Sequence, residues 1–260
     1  MKELIKNFIP PYLLGILRLI KNYPYLSGRL LSANRSKQNK CEGEVIVLGN
    51  GPSALNISEN LLKKIPIVVM NDFHKSSLSK QFIPVAYCVG ESVNSKAFVN
   101  PNEFLESGIP TNYWFPVEYK KYFNNPSDNI NYYSSVIEPV IWHDKRIDLS
   151  KPTLGIQTTA QIAIQVAIFL GYKKIYLLGF DHDWLAKPDF SRHFYSADKQ
   201  DNDVLEMMSY YEIITYLQRM WEIYYCIQKS SPNVEIINIS KGSYLDVFQS
   251  ENIDEFNKTK

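Results

Sequence analysis

The chain has 260 residues, of which 45% are hydrophobic and 21% are charged, and this balance suits one large α/β domain with a sizeable core. With 28 Lys and Arg against 27 Asp and Glu the formal net charge is only +1, so no overall positive field favours nucleic-acid binding. The three cysteines have no C-x-x-C spacing, which argues against a disulfide scaffold or a zinc site and favours a reducing cytoplasm.

Residues 1–43 are predicted to form an N-terminal segment outside the main domain. In residues 1–21 the apolar groups are interrupted by Lys6, by Pro10-Pro11 and by Arg18, so they do not supply the ~20 uninterrupted apolar residues of a membrane-spanning helix. Residues 12–21 predict a short amphipathic helix that either lies at an anionic membrane interface or docks on protein. The polar residues 32–44 predict a linker.

Residues 44–260 predict a single Rossmann-like domain, a doubly wound and mostly parallel α/β sheet. Apolar runs without alternation are typical of parallel strands that are covered on both faces, and they occur at residues 44–48, 65–70, 85–89, 174–178 and 234–237, with a further strand at 112–116. The predicted helices are residues 58–64, 158–170 and 203–229. Residues 184–201 are polar and aromatic, and they predict a lid-like insertion.

Polar residues follow four of the predicted strands, at the points where the strands end. They are Asn50 to Ser53, Asn71 with Asp72, Glu91 with Ser92, and Asp181 to Asp183. The carboxyl ends of parallel strands form the ligand-binding edge of an open α/β sheet, so the pattern predicts a ligand site there. The turn Asn50-Gly51-Pro52-Ser53 allows backbone N–H groups to approach a nucleotide phosphate. Because Asn, Asp and Ser also favour turns, any one of these positions alone has a structural explanation.

Two groups of residues are candidates for metal binding or proton transfer. Asp181 and Asp183 form a D-x-D pair, which either holds Mg²⁺ against a diphosphate or caps and orients a loop. His193 lies in the stretch FSRHFY beside Arg192. A neutral imidazole can accept a proton from an acceptor hydroxyl, and an arginine can meet a carboxylate or phosphate. The alternative for His193 is an ordinary surface position on a polar loop.

The segments VIVLGNGPS, VVMNDF, GIQTTAQIAIQVAIFLGYKKIYLLGFD and SRHFY follow one another in a characteristic order. In this the chain resembles the bacterial sialyltransferases of glycosyltransferase family 42, over residues 45–239. It is also similar to a broader group of NGPS-containing Rossmann-like proteins from polysaccharide clusters, which includes the archaeal 6-hydroxymethylpterin diphosphokinases. NGPS together with LGYKKIYLLGFD is the most specific part of the resemblance.

The resemblance implies an inverting glycosyltransferase of bacterial surface polysaccharide biosynthesis, such as that of lipopolysaccharide or capsule. Its donor would be a nucleotide sugar, with a CMP-sugar favoured, and its acceptor a glycan or a lipid-linked glycan. The implied donor-nucleotide-binding residues are Asn50, Gly51, Pro52, Ser53, Asn71, Thr158 and Thr159. His193 would be the catalytic general base, and Arg192, Asp181 and Asp183 would contact the acceptor or the donor sugar.

The same resemblance implies no cofactor, although Mg²⁺ at Asp181 and Asp183 stays open as an alternative. The expected location is cytoplasmic, with peripheral contact to the inner face of the membrane through residues 1–21. Homo-oligomer formation is left open by the sequence.

The chain departs from the family pattern at three places, and these departures keep other functions open. His182, Asp183 and Trp184 stand where the sialyltransferases carry tyrosines that help the departing phosphate, and Ile156 stands where an arginine precedes their paired hydroxyl residues. Gly90 or Glu91 stands near the position of another donor-binding asparagine. A different nucleotide sugar is therefore compatible with the sequence. Two further hypotheses are a diphosphokinase-like enzyme that uses ATP and Mg²⁺, and a non-catalytic nucleotide-binding module. The NGPS loop has no Lys or Arg to assist phosphoryl transfer, which counts against the diphosphokinase.

Overall fold

The computed structural model describes residues 10–21, 28–90, 100–123, 126–142, 145–183 and 209–260. The α-helices in these residues are α1 (Pro11–Lys21), α2 (Gly28–Leu31), α3 (Glu59–Lys64), α4 (Pro101–Glu106), α5 (Pro139–Trp142), α6 (Thr159–Leu170), α7 (Tyr210–Ser230) and α8 (Ile253–Thr259). Short 3₁₀ helices cover Ser32–Lys37, Pro52–Asn56, Asn71–Lys75, Ser77–Lys80 and Val117–Tyr122.

The strands, in chain order, are β1 (Glu44–Leu48), β2 (Ile67–Met70), β3 (Ala86–Cys88), β4 (Asn112–Pro116), β5 (Ile130–Tyr133), β6 (Ser135–Ile137), β7 (Thr153–Leu154), β8 (Lys174–Leu178), β9 (Glu235–Asn238) and β10 (Gln249–Ser250). Eight of them form one sheet in the order β10-β9-β8-β1-β2-β3-β4-β5, and β6 pairs with β7 separately. Each of these pairings is parallel. The predicted parallel α/β sheet is therefore confirmed.

Both faces of the sheet are covered by helices. Val45 and Val47 of β1 pack in one hydrophobic cluster with residues of α6 and α7, while Ile46 and Leu48 pack in a second cluster with residues of α3 and α8. Successive side chains of a strand point to opposite faces, so a strand between two such layers needs apolar residues at every position. This explains why the strand sequences are continuous apolar runs, and it confirms the doubly wound architecture.

The order of the strands reverses at β1. The chain places β2 to β5 on one side of β1 and β8 to β10 on the other. Strands β1 and β8 are in register along their whole length, from the pair Glu44 and Lys174 to the pair Leu48 and Leu178. The turns that follow these two strands therefore emerge side by side, at the topological switch point where ligands bind in open α/β sheets.

The two ends of helix α6 are fixed by side-chain and backbone contacts. Thr158 is its N-cap, and the side-chain oxygen of Gln161 accepts hydrogen bonds from the backbone N–H groups of Thr158 (3.3 Å) and Gln157 (2.7 Å). The helix ends at Gly171, whose φ of 114° lies in the left-handed region that glycine tolerates. The observed helix agrees with the predicted residues 158–170.

Several elements differ from the sequence-based prediction or lie outside the described residues. Residues 32–44, for which a linker is predicted, contain Asn34, which is buried and donates hydrogen bonds to the carbonyl groups of Tyr132 (2.7 Å) and Leu149 (2.8 Å). Strand β5 and helix α4 lie in a region without a clear sequence period. The predicted lid, residues 184–201, and the first residues of the predicted helix 203–229 lie outside the described residues.

Candidate active site

The turns after β1 and β8 touch through their glycines. The N–H of Gly49 donates to the carbonyl of Leu178 (2.7 Å), and the N–H of Gly51 donates to the carbonyl of Gly179 (3.0 Å). A Cβ atom on Gly49 would lie 2.5 Å from the oxygen of Gly179, and one on Gly51 would lie 2.7 Å from that same oxygen. Glycine is therefore required at both positions because the two backbones approach more closely than any side chain would allow.

Ser53 and Asp181 join the same two turns. The N–H of Ser53 donates to Oδ2 of Asp181 at 3.0 Å, and the Ser53 hydroxyl donates a short hydrogen bond to Oδ1. Ser53 is 5% exposed and Asp181 is 7% exposed. Both carboxylate oxygens of Asp181 thus hold the turn that contains Ser53. The backbone carbonyl of Asp181 also accepts a hydrogen bond from the N–H of Tyr244 (2.9 Å), which connects the turn after β8 to the segment after β9.

Asn71 and Thr159 meet at the ends of β2 and β3. The side-chain oxygen of Asn71 accepts hydrogen bonds from the hydroxyl of Thr159 (2.9 Å) and from the N–H of Gly90 (3.4 Å). Asn71 has a φ of 47°, a conformation that asparagine adopts more readily than most residues. A Cβ atom on Gly90 would lie 2.2 Å from the hydroxyl oxygen of Thr159, so this position also needs glycine.

The amino end of helix α6 therefore adjoins the carboxyl edge of the sheet. The first N–H groups of a helix have no helical acceptor, and the helix dipole places a partial positive charge there. Because α6 has 12 residues and begins at Thr159, beside Asn71, these N–H groups lie close to the crevice. Such an arrangement favours a phosphate or carboxylate group.

Asn50 completes the group of predicted residues that the fold brings together. It is 8% exposed, and its side-chain nitrogen lies 3.5 Å from the carbonyl oxygen of Met70, at the end of β2. Asn50, Ser53, Asn71, Thr159 and Asp181 thus surround the ends of β1, β2 and β8 and the start of α6.

His182 is a half-buried neighbour of the site and is not among the predicted site residues. Its φ is 48°, and its Nε2 lies 3.0 Å from the hydroxyl of Tyr224 on α7. Its ring also meets that of Trp221 edge to face at a centroid distance of 5.6 Å. Burial lowers the pKa of His182 to about 4, although the carboxylate of Asp183 acts in the opposite direction. His182 is therefore a neutral hydrogen-bonding partner at pH 7.

Hydrogen bonds join the turn after β9 to the turn after β8, and the site residues predicted from the sequence do not include the turn after β9. The hydroxyl of Ser240 accepts a hydrogen bond from the N–H of Phe180 (2.9 Å), and the hydroxyl of Ser243 donates to the carbonyl of Phe180 (2.6 Å). The side-chain nitrogen of Asn238 donates to the hydroxyl of Ser243 at 2.8 Å. The position of a serine after a strand does not predict these contacts, because they form only when β8 and β9 are neighbours in the sheet.

The predicted catalytic residues cannot be placed in this site. His193 and Arg192 lie outside the described residues, and their roles stay predictions. Asp183 is described and half-buried, but its predicted contact with a sugar is likewise a prediction. Within residues 10–21, 28–90, 100–123, 126–142, 145–183 and 209–260, no group of three or more His, Cys, Asp or Glu side chains could hold a metal ion.

The fold and the switch-point turns define a Rossmann-like α/β protein with a candidate ligand site at the carboxyl edge of its sheet. No protein-family model matches the chain, and neither does any curated protein sequence. Among solved structures it is similar to the sialyltransferase CstII from Campylobacter jejuni, described in complex with the substrate analogue cytidine-5'-monophosphate, at 17% identity and a TM-score of 0.47 over 80% of this chain and 84% of that chain.

Two further solved structures show a likeness of the same degree. The monofunctional alpha-2,3-sialyltransferase Cst-I from Campylobacter jejuni matches at 18% identity and a TM-score of 0.47, over 81% of this chain and 80% of that chain. The MAf glycosyltransferase from Magnetospirillum magneticum AMB-1 matches at 14% identity and a TM-score of 0.49, over 88% of this chain but 38% of that chain. Likeness at this level does not identify the ligand of this chain, so the function is argued from the site and from the sequence motifs.

Proposed function

We propose that this protein is a glycosyltransferase that moves a sugar from a nucleotide sugar, with a CMP-sugar favoured, to a glycan or lipid-linked acceptor. The resemblance of residues 45–239 to family 42 supports the reaction class. The observation that carries the proposal is the 2.9 Å hydrogen bond between Thr159 and Asn71. It brings together two residues for which the resemblance implies donor binding, beside a helix N-terminus that suits a phosphate.

The donor would lie across the switch point. The first N–H groups of α6 would meet its phosphate, since they present the positive end of the helix dipole. Side-chain amides such as Asn50 and Asn71 suit a base or a ribose, because they supply directional donors and acceptors without adding charge. The N–H groups of Gly51 and Ser53 already donate to the carbonyl of Gly179 and to the carboxylate of Asp181, so the phosphate would be held by the start of α6 rather than by these groups.

Catalysis would require one proton transfer and precise positioning. His193, as the general base, would remove the proton from an acceptor hydroxyl, and that oxygen would form a bond to the anomeric carbon while the bond from this carbon to the donor phosphate breaks. A single displacement of this kind inverts the anomeric configuration and releases the nucleotide. A general base contributes about 10²- to 10⁴-fold to the rate.

The acceptor would be part of a surface polysaccharide under assembly at the inner face of the cytoplasmic membrane. Helix α1 supports this part of the proposal, because Tyr12, Leu13, Leu17 and Ile20 are each between 47% and 65% exposed. Apolar side chains on a short helix favour the interface of a membrane with water. Among the described residues, no helix is both long enough and apolar enough to cross a membrane.

A panel of nucleotides tests the donor. The protein is heated with CMP, UDP, GDP or ATP, each with and without Mg²⁺, and the midpoint of unfolding is recorded. A ligand at 100 times its Kd stabilises the folded protein by about 2.7 kcal/mol. Stabilisation by CMP without metal is expected. Stabilisation by ATP only in the presence of Mg²⁺ would replace the proposal with a diphosphokinase, and nucleotide binding without any sugar transfer would replace it with a non-catalytic module.

Two substitutions separate catalysis from donor binding. His193→Ala is expected to lower turnover about 10²- to 10⁴-fold, with CMP binding nearly unchanged, because a general base acts on the acceptor. Asn71→Gly is the complementary variant, since it tolerates the positive φ but removes the side chain, and it should weaken CMP binding. Equal losses of binding and turnover in His193→Ala would overturn the role assigned to His193.

A further inference from the structure

A cavity lies at the opposite edge of the sheet from the candidate active site. Its volume is about 650 Å³, and it is lined by residues that precede strands, including Lys173 before β8 and Val234 before β9. Strand β8 has five residues, and a strand rises about 3.3 Å per residue, so the strand separates the two sites by about 16 Å. A ligand in this cavity would not occupy the crevice at the carboxyl edge.

The charged side chains that line this cavity are predominantly positive. Lys145, Arg146, Lys151 and Lys173 line it together with one carboxylate, that of Asp148. Asp148 is already engaged, because it pairs with the ammonium group of Lys151 at 3.3 Å and accepts hydrogen bonds from the N–H and the hydroxyl of Ser150. No carboxylate in the described part of the chain lies within ion-pair distance of the other three cations. Three positive charges are therefore available to an anion.

A buried hydroxyl without a partner supplies an independent observation. Ser231 lines the cavity and is 7% exposed, yet its hydroxyl has no hydrogen-bond partner among the described residues. The neighbouring Ser230 is satisfied, since it accepts a hydrogen bond from the ring nitrogen of Trp142 (2.5 Å) and donates to the carbonyl of Cys226 (2.6 Å). A buried polar group without a partner is costly, and a bound ligand would remove that cost.

The backbone at this cavity favours a ligand that also donates hydrogen bonds. Helix α7 ends at Ser230, and the last carbonyl groups of a helix have no helical N–H partners. These oxygens would repel a bare anion but accept hydrogen bonds from hydroxyl groups. The combination of free cations, helix carbonyls and an unpartnered serine fits a molecule that carries both a negative group and several hydroxyls.

We propose that this cavity binds an anionic carbohydrate, a sugar that carries a phosphate or carboxylate group. The anionic group forms ion pairs with Lys145, Arg146 and Lys173. The sugar hydroxyls form hydrogen bonds with Ser231 and with the carbonyl groups at the end of α7. A volume of about 650 Å³ lies within the range of small-molecule sites. This inference does not depend on the proposed transferase activity.

Calorimetric titration of the full-length protein at low salt tests the proposal, with glucose 1-phosphate as the probe and with glucose and inorganic phosphate as comparisons. Glucose 1-phosphate is expected to bind more tightly than either. Lys145→Gln/Arg146→Gln should weaken its binding at least tenfold. The matched control Lys63→Gln/Lys64→Gln removes two exposed charges from α3 and should change the affinity less than twofold.

Two further variants complete the test. Ser231→Ala should weaken binding about threefold and raise the unfolding midpoint of the free protein, because it removes an unpartnered hydroxyl. Asn71→Gly, in the candidate active site, should leave the binding of glucose 1-phosphate unchanged, so the result is independent of the nucleotide panel. Equal affinity for inorganic phosphate and glucose 1-phosphate, equal losses in the two double variants, or no saturable binding would each overturn the proposal.

Discussion

The carboxylate of Asp181 accepts hydrogen bonds from both the backbone N–H and the hydroxyl of Ser53, a residue 128 positions earlier in the chain. The two residues lie in the turns that follow β8 and β1, at the point where the order of the strands reverses. Asp181 therefore holds the NGPS turn in place from the neighbouring strand. This makes it a positioning residue for the candidate site.

Replacement of Asp181 by alanine tests this role. The change leaves the N–H and the hydroxyl of Ser53 buried without an acceptor, and unsatisfied buried groups cost about 1–3 kcal/mol each. We expect the free energy of unfolding to fall by about 2–4 kcal/mol in chemical denaturation. Ser53→Ala removes one donor only and should cost less, and a double-mutant cycle measures the coupling of the pair. Coupling below about 0.5 kcal/mol would contradict the positioning role.

Gly51→Ala tests the close contact between the two turns. A Cβ atom at this position would lie 2.7 Å from the carbonyl oxygen of Gly179 and 2.7 Å from Oδ2 of Asp181, so the turns must separate. We expect a loss of about 1–3 kcal/mol of unfolding free energy, as for other overpacked positions, together with weaker nucleotide binding. Gly108→Ala is the control, because a Cβ atom there meets nothing within 4 Å and its cost is the strain of a φ of 69°. Unchanged nucleotide affinity in Gly51→Ala would show that the turn does not contact the ligand.

The fold was largely predictable because most of its strands are buried on both faces. Strands β1, β4 and β8 are predicted at their observed bounds, since their sequences are almost entirely apolar or aromatic. Strand β5 escapes prediction because Asn131 interrupts its pattern. In the structure Asn131 is buried, and its side-chain nitrogen donates to the carbonyl of Tyr113 at 3.0 Å. Strand β10, with two residues, is too short for any periodic signal.

The candidate site was predictable as a set of residues but not as a set of contacts. Strand ends carry polar residues that the sequence shows directly, including Asn50, Asn71 and Asp181. Which of them touch depends on which strands are neighbours, and β1 pairs with β8 across more than a hundred residues. The contact between His182 and Tyr224 was not predicted for the same reason, since it joins the turn after β8 to the second half of α7.

The exposed apolar side chains of α1 predict binding to membranes. Gly15 faces helix α5, because a Cβ atom there would lie 3.2 Å from the side chain of Val140, whereas Leu13 and Leu17 are each 47% exposed. Leu17→Glu is expected to lower co-sedimentation with anionic lipid vesicles about tenfold, since burial of a leucine side chain is worth about 1.5–3 kcal/mol. The control Leu55→Glu changes a leucine that is 58% exposed in another part of the molecule, and it should have little effect. Equal effects of the two substitutions would argue against α1 as the membrane contact.

The lowered pKa of His182 predicts that the free energy of unfolding decreases as the pH falls from about 6.5 to 4. Burial lowers its pKa in the folded protein to about 4, whereas the ordinary value of a histidine in an unfolded chain is 6.5. Between these values the unfolded chain binds a proton that the folded protein does not, so acid favours unfolding. The contribution of neutral His182 to the free energy of unfolding is fully present above pH 6.5. At most about 3 kcal/mol of it is lost by pH 4, at 1.36 kcal/mol per pKa unit.

His182→Asn removes this titration and suits the φ of 48° at this position. We therefore expect the unfolding free energy of the variant to decline less between pH 7 and pH 4 than that of the unaltered protein, when both are measured by denaturant titration. Burial also lowers the pKa of His74, which stays in both proteins and contributes equally to their curves. The difference between the two curves thus isolates His182. Parallel curves would show that His182 accepts its proton in the folded protein as easily as in the unfolded chain.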